Sequence, residues 1–188
     1  MGPQIVPEIR LIAASDSIGG LTDLLHEAYR ALAERGMRFV ASHQDEQMTA
    51  RRIAKAECYL AFDGDKLIGT VTLDDATHTK GSPWYDRPEV ASFHQFAVRP
   101  QWQGRGIGTM MLDYIERRAA KKGVAELALD TAEPARHLIN FYTRRGYRFI
   151  EHVRWDAVNY RSVLLSKRLS PPDDAAGNNA KAGRVAEA

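Results

Sequence analysis

Residues 92–122 read SFHQFAVRPQWQGRGIGTMMLDYIERRAAKK, and the reading of this stretch decides the fold. A strand-like run, Val90 to Arg99, stops at Pro100. It passes glycines at 104, 106 and 108, then continues as a helix predicted over Thr109 to Lys122. The helix has an apolar face of Met110, Met111, Leu112, Ile115 and Ala119, and Gly123 closes it. A glycine-rich joint between strand and helix bares backbone N–H groups at the positive end of a helix, which suits an anionic ligand.

Upstream, Ile5 to Ala13 is strand-like and Ser15 to Gly20 has turn chemistry. Leu21, Leu24, Leu25, Ala28 and Leu32 then recur at helical spacing up to Gly36. A second, more polar helix is predicted over Glu46 to Ala56. The weakly periodic segment Met37 to Gln44 between them is expected to be mobile. Glu57 to Phe62 and Lys66 to Leu73 form a hairpin about Asp63-Gly64-Asp65. Asp74 to Pro88, carrying Gly81, Pro83, Trp84 and Tyr85, is a long loop of the functional or mobile kind.

Downstream of the joint, Val124 to Asp130 reads as a buried strand and Ala135 to Arg145 as a helix with Leu138, Ile139 and Tyr142 inward. Tyr147 to Trp155 and Tyr160 to Lys167 supply the last two strands. One domain over residues 1–169 is expected. Ser170 to Ala188 has almost no large apolar residue to offset its ordering entropy and is predicted to be a disordered tail.

Composition excludes several classes of function. The chain has 188 residues, 44% of them hydrophobic, and a formal charge of +2, so it can build a core and carries no global field for nucleic acid. No run reaches the 18 or so apolar residues of a membrane span, and the first residues do not resemble an export signal. The single cysteine, Cys58, fits a reducing compartment, so a cytoplasmic protein is expected. The six histidines show no close pair at ligand spacing, so no metal is expected.

The joint fails both nucleotide patterns. No G-x-x-x-x-G-K-[ST] occurs, and Gly104-Arg105-Gly106 lacks the third glycine of G-x-G-x-x-G. What remains is Q-x-x-G-x-G, as Gln103, Gly106 and Gly108. That turn, in FAVRPQWQGRGIGTMML, together with NFYTRRGYRF at Asn140 to Phe149, resembles the GCN5-related N-acetyltransferases, which use acetyl-coenzyme A. The resemblance covers most of the chain. It implies a mixed α/β sheet flanked by helices, in the order β-α-α-β-β-β-α-β-α-β-β, and acetyl transfer to a primary amine by direct attack. A non-catalytic acyl-coenzyme A binding module is the alternative.

The resemblance also implies site residues. The pyrophosphate of acetyl-coenzyme A would rest on the backbone of Gln103, Gly104, Arg105, Gly106, Ile107, Gly108 and Thr109. The pantetheine arm would run beside Phe96, Ala97 and Val98 and meet Asn140, with Arg145 near the phosphates. The Phe96 N–H would stabilise the oxyanion and Tyr142 would protonate the leaving thiolate.

Strand alternation puts Ser92, His94, Phe96 and Val98 on one face. His94 is the titratable group of that face, read either as the base, directly or through water, or as a hydrogen-bonded core histidine. Many relatives carry glutamate where Ser92 stands, and Glu89 is the reserve base. Trp84, Tyr85 and Glu89 are candidate contacts for a small-molecule or peptide amine. The residues leave the acceptor's identity and a homodimer open.

Overall fold

The computed structural model describes residues 6–170. Its elements are β1 (Glu8–Leu11), α1 (Ile18–Glu34), α2 (Glu46–Ile53), β2 (Glu57–Asp63), β3 (Lys66–Asp74), β4 (Val90–Val98), α3 (Ile107–Lys121), β5 (Glu126–Ala132), α4 (Arg136–Arg144), β6 (Arg148–Arg154) and β7 (Arg161–Arg168). This is the expected order. The strands form one seven-stranded sheet, β1-β2-β3-β4-β5-β7-β6. Only β4 and β5 run parallel; every other neighbouring pair is antiparallel. Of the expected tail, all but Ser170 lies outside the described residues, as does Ile5 of the first strand.

Local chemistry sets the boundaries. α1 begins at Ile18 rather than Leu21 because the Ser17 hydroxyl accepts from the Gly20 N–H, turning the expected loop residues into a first helical turn. Asp45 caps α2 through the Met48 N–H at 2.7 Å. Between β2 and β3 the two-residue turn Gly64-Asp65 takes φ +58° at Gly64, a conformation that glycine supplies without a steric penalty.

Helices cover both sheet faces. α3 and α4 lie on one face, where Met111, Leu112 and Ile115 meet Leu73, Phe93 and Leu127. On the other, Leu21, Leu24 and Leu25 of α1 pack against Cys58, Leu60 and Ala97. Each buried Leu, Ile, Phe or Met among them contributes about 1.5–3 kcal/mol by leaving water. The segment expected to be mobile is instead packed. Met37, Ala41 and Gln44 are buried, and Met37 joins Leu32, Ala132 and Ala135 in a small cluster. The sparse apolar residues there serve tertiary contacts and not a helical face, which is why periodicity missed them.

The expected alternation along β4 fails at one residue. His94 pairs with Thr72 and Ala97 with Thr70, so three steps on β4 span two on β3. The extra residue is accommodated at Gln95, whose φ of +49° makes it the one described non-glycine residue with positive φ. Ser92, His94 and Ala97 therefore face α1, whereas Phe96 and Val98 join the α3 and α4 side with Phe93. His94 and Phe96 do not share a face. A single bulge reverses every assignment beyond it.

Candidate active site

β4 and β5 are paired only through Val90↔Glu126, Ala91↔Leu127 and Ser92↔Ala128. Beyond Ser92 they part, and β4 runs on to Val98 with no strand on that side among the described residues. Gln95 and Phe96 are also absent from the register with β3, so neither neighbouring strand pairs with Phe96. The Phe96 carbonyl is occupied by the Tyr29 hydroxyl at 3.1 Å. Its N–H stands at the bulge beside the gap.

At the far end of β4, Arg99 bonds Glu27 and the Leu67 carbonyl, and the Gln103 amide donates to the Val98 carbonyl at 2.9 Å. These bonds fix the turn into α3. Gly104 and Gly106 have φ of +73° and +83°, and Gly106 caps α3 without any side-chain bond. No backbone acceptor meets the N–H groups of Gly104 to Thr109 among the described residues. Arg105 is exposed, whereas the Ile107 side chain is buried in the core and leaves only its backbone outward. A Cβ on Gly108 would meet Phe96 Cζ at 3.6 Å, an ordinary contact, so the core does not demand glycine there.

Where the strands part, a cavity of about 490 Å³ opens, within the usual range for small-molecule sites. Tyr142 lines it from α4, with its ring among Phe93, Phe96, Phe141 and Tyr147. Burial, then Tyr29 and Asp130, push its hydroxyl well above the usual tyrosine range, so it keeps its proton at neutral pH. Asn140 is exposed on the same helix, and Arg145 is tied to Asp113 of α3.

His94 lines the cavity from β4 with its side chain 24% exposed. Its Nε2 lies 3.1 Å from Asp74 Oδ2 and its Nδ1 lies 3.4 Å from Arg52 Nη2. A guanidinium only donates, so Nδ1 accepts and Nε2 carries the hydrogen toward Asp74. Burial chiefly lowers the His94 pKa. Asp74 opposes the shift and Arg52 adds to it, leaving the ring neutral at neutral pH.

The remaining wall was not singled out by the sequence. Asp130 of β5 accepts from Trp155 Nε1 at 2.9 Å and from the Tyr85 hydroxyl at 3.3 Å, which brings the long loop and the β6–β7 turn to one carboxylate. Tyr85, among the expected acceptor contacts, lines the cavity. Trp84 and Glu89 lie outside its lining. Trp84 sits beneath Arg87 and Arg148, and Glu89 is paired with Arg87. Asp74, Arg52 and Asp130 carried one usable signal, a charge at the end of a strand or inside a helix, but only the tertiary structure converges them. Among the described residues no cluster could hold a metal ion and no helix is long and apolar enough to cross a membrane.

A family model described as Acetyltransferase (GNAT) family matches residues 20–147. The S-(2-succino)cysteine N-acetyltransferase of Bacillus subtilis is 31% identical over 146 residues, 75% of this chain and 84% of that relative. The S-alkylcysteine N-acetyltransferase of the same organism is 24% identical over 173 residues, 87% of this chain and 93% of that one. A GNAT family acetyltransferase from Elizabethkingia anophelis, solved with acetyl-CoA bound, superposes with a TM-score of 0.62 at 20% identity, covering 87% of this chain and 98% of its own.

Proposed function

Because this chain belongs to the acetyltransferase (GNAT) family and is an N-acetyltransferase, we propose that it transfers acetyl from acetyl-coenzyme A directly to the primary amine of a small acceptor held in the cavity. The observation that carries this reading is the parting of β4 from β5 beside the bared N–H groups of Gly104 to Thr109. That arrangement offers a backbone edge for an extended amide-bearing arm and an anion cradle at its end. Gln103 to Thr109 receive the pyrophosphate, Phe96 to Val98 align the pantetheine arm, and Asn140 and Arg145 stand along its path. The two cysteine-derivative relatives favour a small amine over a protein lysine.

In the reaction the amine lone pair attacks the thioester carbon. The N–H of Phe96, a residue outside the register with either neighbouring strand, donates to the oxygen as it becomes negative. The C–S bond then breaks and the Tyr142 hydroxyl gives its proton to the sulfur. His94, neutral and held in one tautomer by Asp74, takes the amine proton at Nδ1. Glu89, the reserve candidate, is paired with Arg87 outside the cavity lining, which favours His94 as the base.

Released coenzyme A thiol, followed across a panel of small amines, tests the reading. Turnover dependent on both acetyl-coenzyme A and an amine is expected. Coenzyme A binding with no thiol release for any amine would overturn the transfer and leave a binding module.

A further inference from the structure

Among the described residues, two opposite charges in the cavity lack a direct ion-pair partner. Arg52, at the end of α2, donates to Gln44 Oε1 at 2.7 Å and touches His94 Nδ1 at 3.4 Å, both neutral groups. Among the described residues no carboxylate lies within ion-pairing distance of its guanidinium. A largely buried cation without a direct ion pair is costly: burial lowers its pKa, and the more distant Asp74 and Asp130 carboxylates only partly oppose that. It is nonetheless held in place. Gln44 is itself buried and donates to Thr49 at 2.7 Å, and Thr49 is bonded to Thr22 of α1 at 2.8 Å. Lys80, the other cation of the lining, is exposed and free to reach solvent.

Asp130 is the counterpart. Among the described residues it accepts only from the neutral Trp155 and Tyr85 groups, and it stands on β5 across the gap from His94. An ordinary acceptor amine satisfies one of these charges. An α-amino acid satisfies both, because its ammonium and carboxylate are separated by one carbon and carry opposite signs.

We propose that the acceptor is a free α-amino acid whose carboxylate is received by Arg52 and whose ammonium is first received by Asp130. This rests on the transfer reading above and names the substrate class of that site. It separates such acceptors from simple amines, aminoglycosides and peptide N-termini, whose α-carboxyl is an amide.

The geometry also links recognition to chemistry. Arg52 Nη2 is the group on the His94 Nδ1 lone pair. A carboxylate that takes the Nη2 hydrogen, while Nη1 stays on Gln44, frees that lone pair for the amine proton. Loss of the acceptor carboxylate therefore lowers kcat as well as raising KM.

The test uses S-ethyl-L-cysteine, its methyl ester and 2-(ethylthio)ethylamine as acceptors, with thiol release measured for the intact protein and for Arg52→Gln. Truncating one partner of a desolvated charge pair costs at least ~2 kcal/mol, so the free amino acid is expected to exceed both analogues by on the order of 30-fold or more in kcat/KM. In Arg52→Gln that ratio is expected to collapse toward one, while coenzyme A binding by calorimetry reports an intact fold. Turnover indifferent to the carboxylate in the wild type overturns the proposal and keeps the transfer. Binding of the three compounds is also read directly by ligand-detected NMR. Carboxylate-dependent binding without any thiol release keeps the recognition and removes the transfer. Equal binding of all three, or none, with no thiol release, overturns both.

Discussion

Replacing Tyr142 by phenylalanine removes one oxygen and leaves a ring with four aromatic neighbours. The centroids of Phe141, Tyr147, Phe93 and Phe96 lie 5.2, 5.8, 6.0 and 6.4 Å away, and each contact survives the change. The hydroxyl has no protein partner among the described residues, so no hydrogen bond is lost, and stability should change by no more than about 0.5 kcal/mol. Chemistry should change far more. A positioned proton donor is worth roughly 10²–10⁴ in rate, or about 2.7–5.4 kcal/mol. Burial holds the wild-type hydroxyl well above its ordinary range, so it stays protonated at neutral and mildly basic pH. Thiol release at saturating acetyl-coenzyme A and amine, with calorimetric coenzyme A binding and thermal melting alongside, separates the two effects. A variant that binds and melts normally yet loses at least a hundredfold in kcat supports the acid role. A kcat within threefold of wild type would refute it and make Tyr142 a packing residue.

Three further outcomes are expected. Gly108→Ala meets only ordinary contacts and gains helix propensity, so its melting point should hold or rise while the KM for acetyl-coenzyme A climbs about tenfold or more; unchanged affinity would remove the phosphate from that backbone. The acidic limb of kcat/KM should lie below the usual histidine range, because burial disfavours charged His94; Asp74→Asn, which removes a raising influence, should move it further down, and a limb that moves up would reject His94 as base. Glu126→Gln should cost about 2 kcal/mol in urea unfolding, since that carboxylate bonds both Arg148 and Ser166. Although burial opposes it, those bonds lower the Glu126 pKa, so its contribution is present above the unfolded value near ~4.3 and is lost as pH falls through the lower folded value. A loss of stability in the variant that persists unchanged to low pH would contradict this.

Much of the fold was legible because it rests on local signals. The Asp63-Gly64-Asp65 turn, the apolar spacing of Leu21 to Leu32 and the glycine joint each state their structure within a dozen residues, and the structure follows them. The site was legible only in part, since its geometry depends on register. Nothing in the residues around Gln95 announces a positive φ, yet that one residue sends His94 to the opposite face from Phe96. Arg52, Asp74 and Asp130 come from three elements and acquire meaning only through their shared cavity. Trp84 was attractive as a loop aromatic. Its ring is instead used in packing and against two arginines.

A reactant bound as proposed in the gap between β4 and β5 would be a structural component as well. An arm lying along Phe93 to Val98 would restore the hydrogen bonding that the sheet gives up after Ser92, so a molecule holding its thioester should be harder to unfold than one without it. By mass action, a ligand present at a hundred times its dissociation constant adds about 2.7 kcal/mol to the native state alone. Resistance to proteolysis should then rise with the concentration of acetyl-coenzyme A, because a ligand that binds the folded chain alone lowers the population a protease can cut.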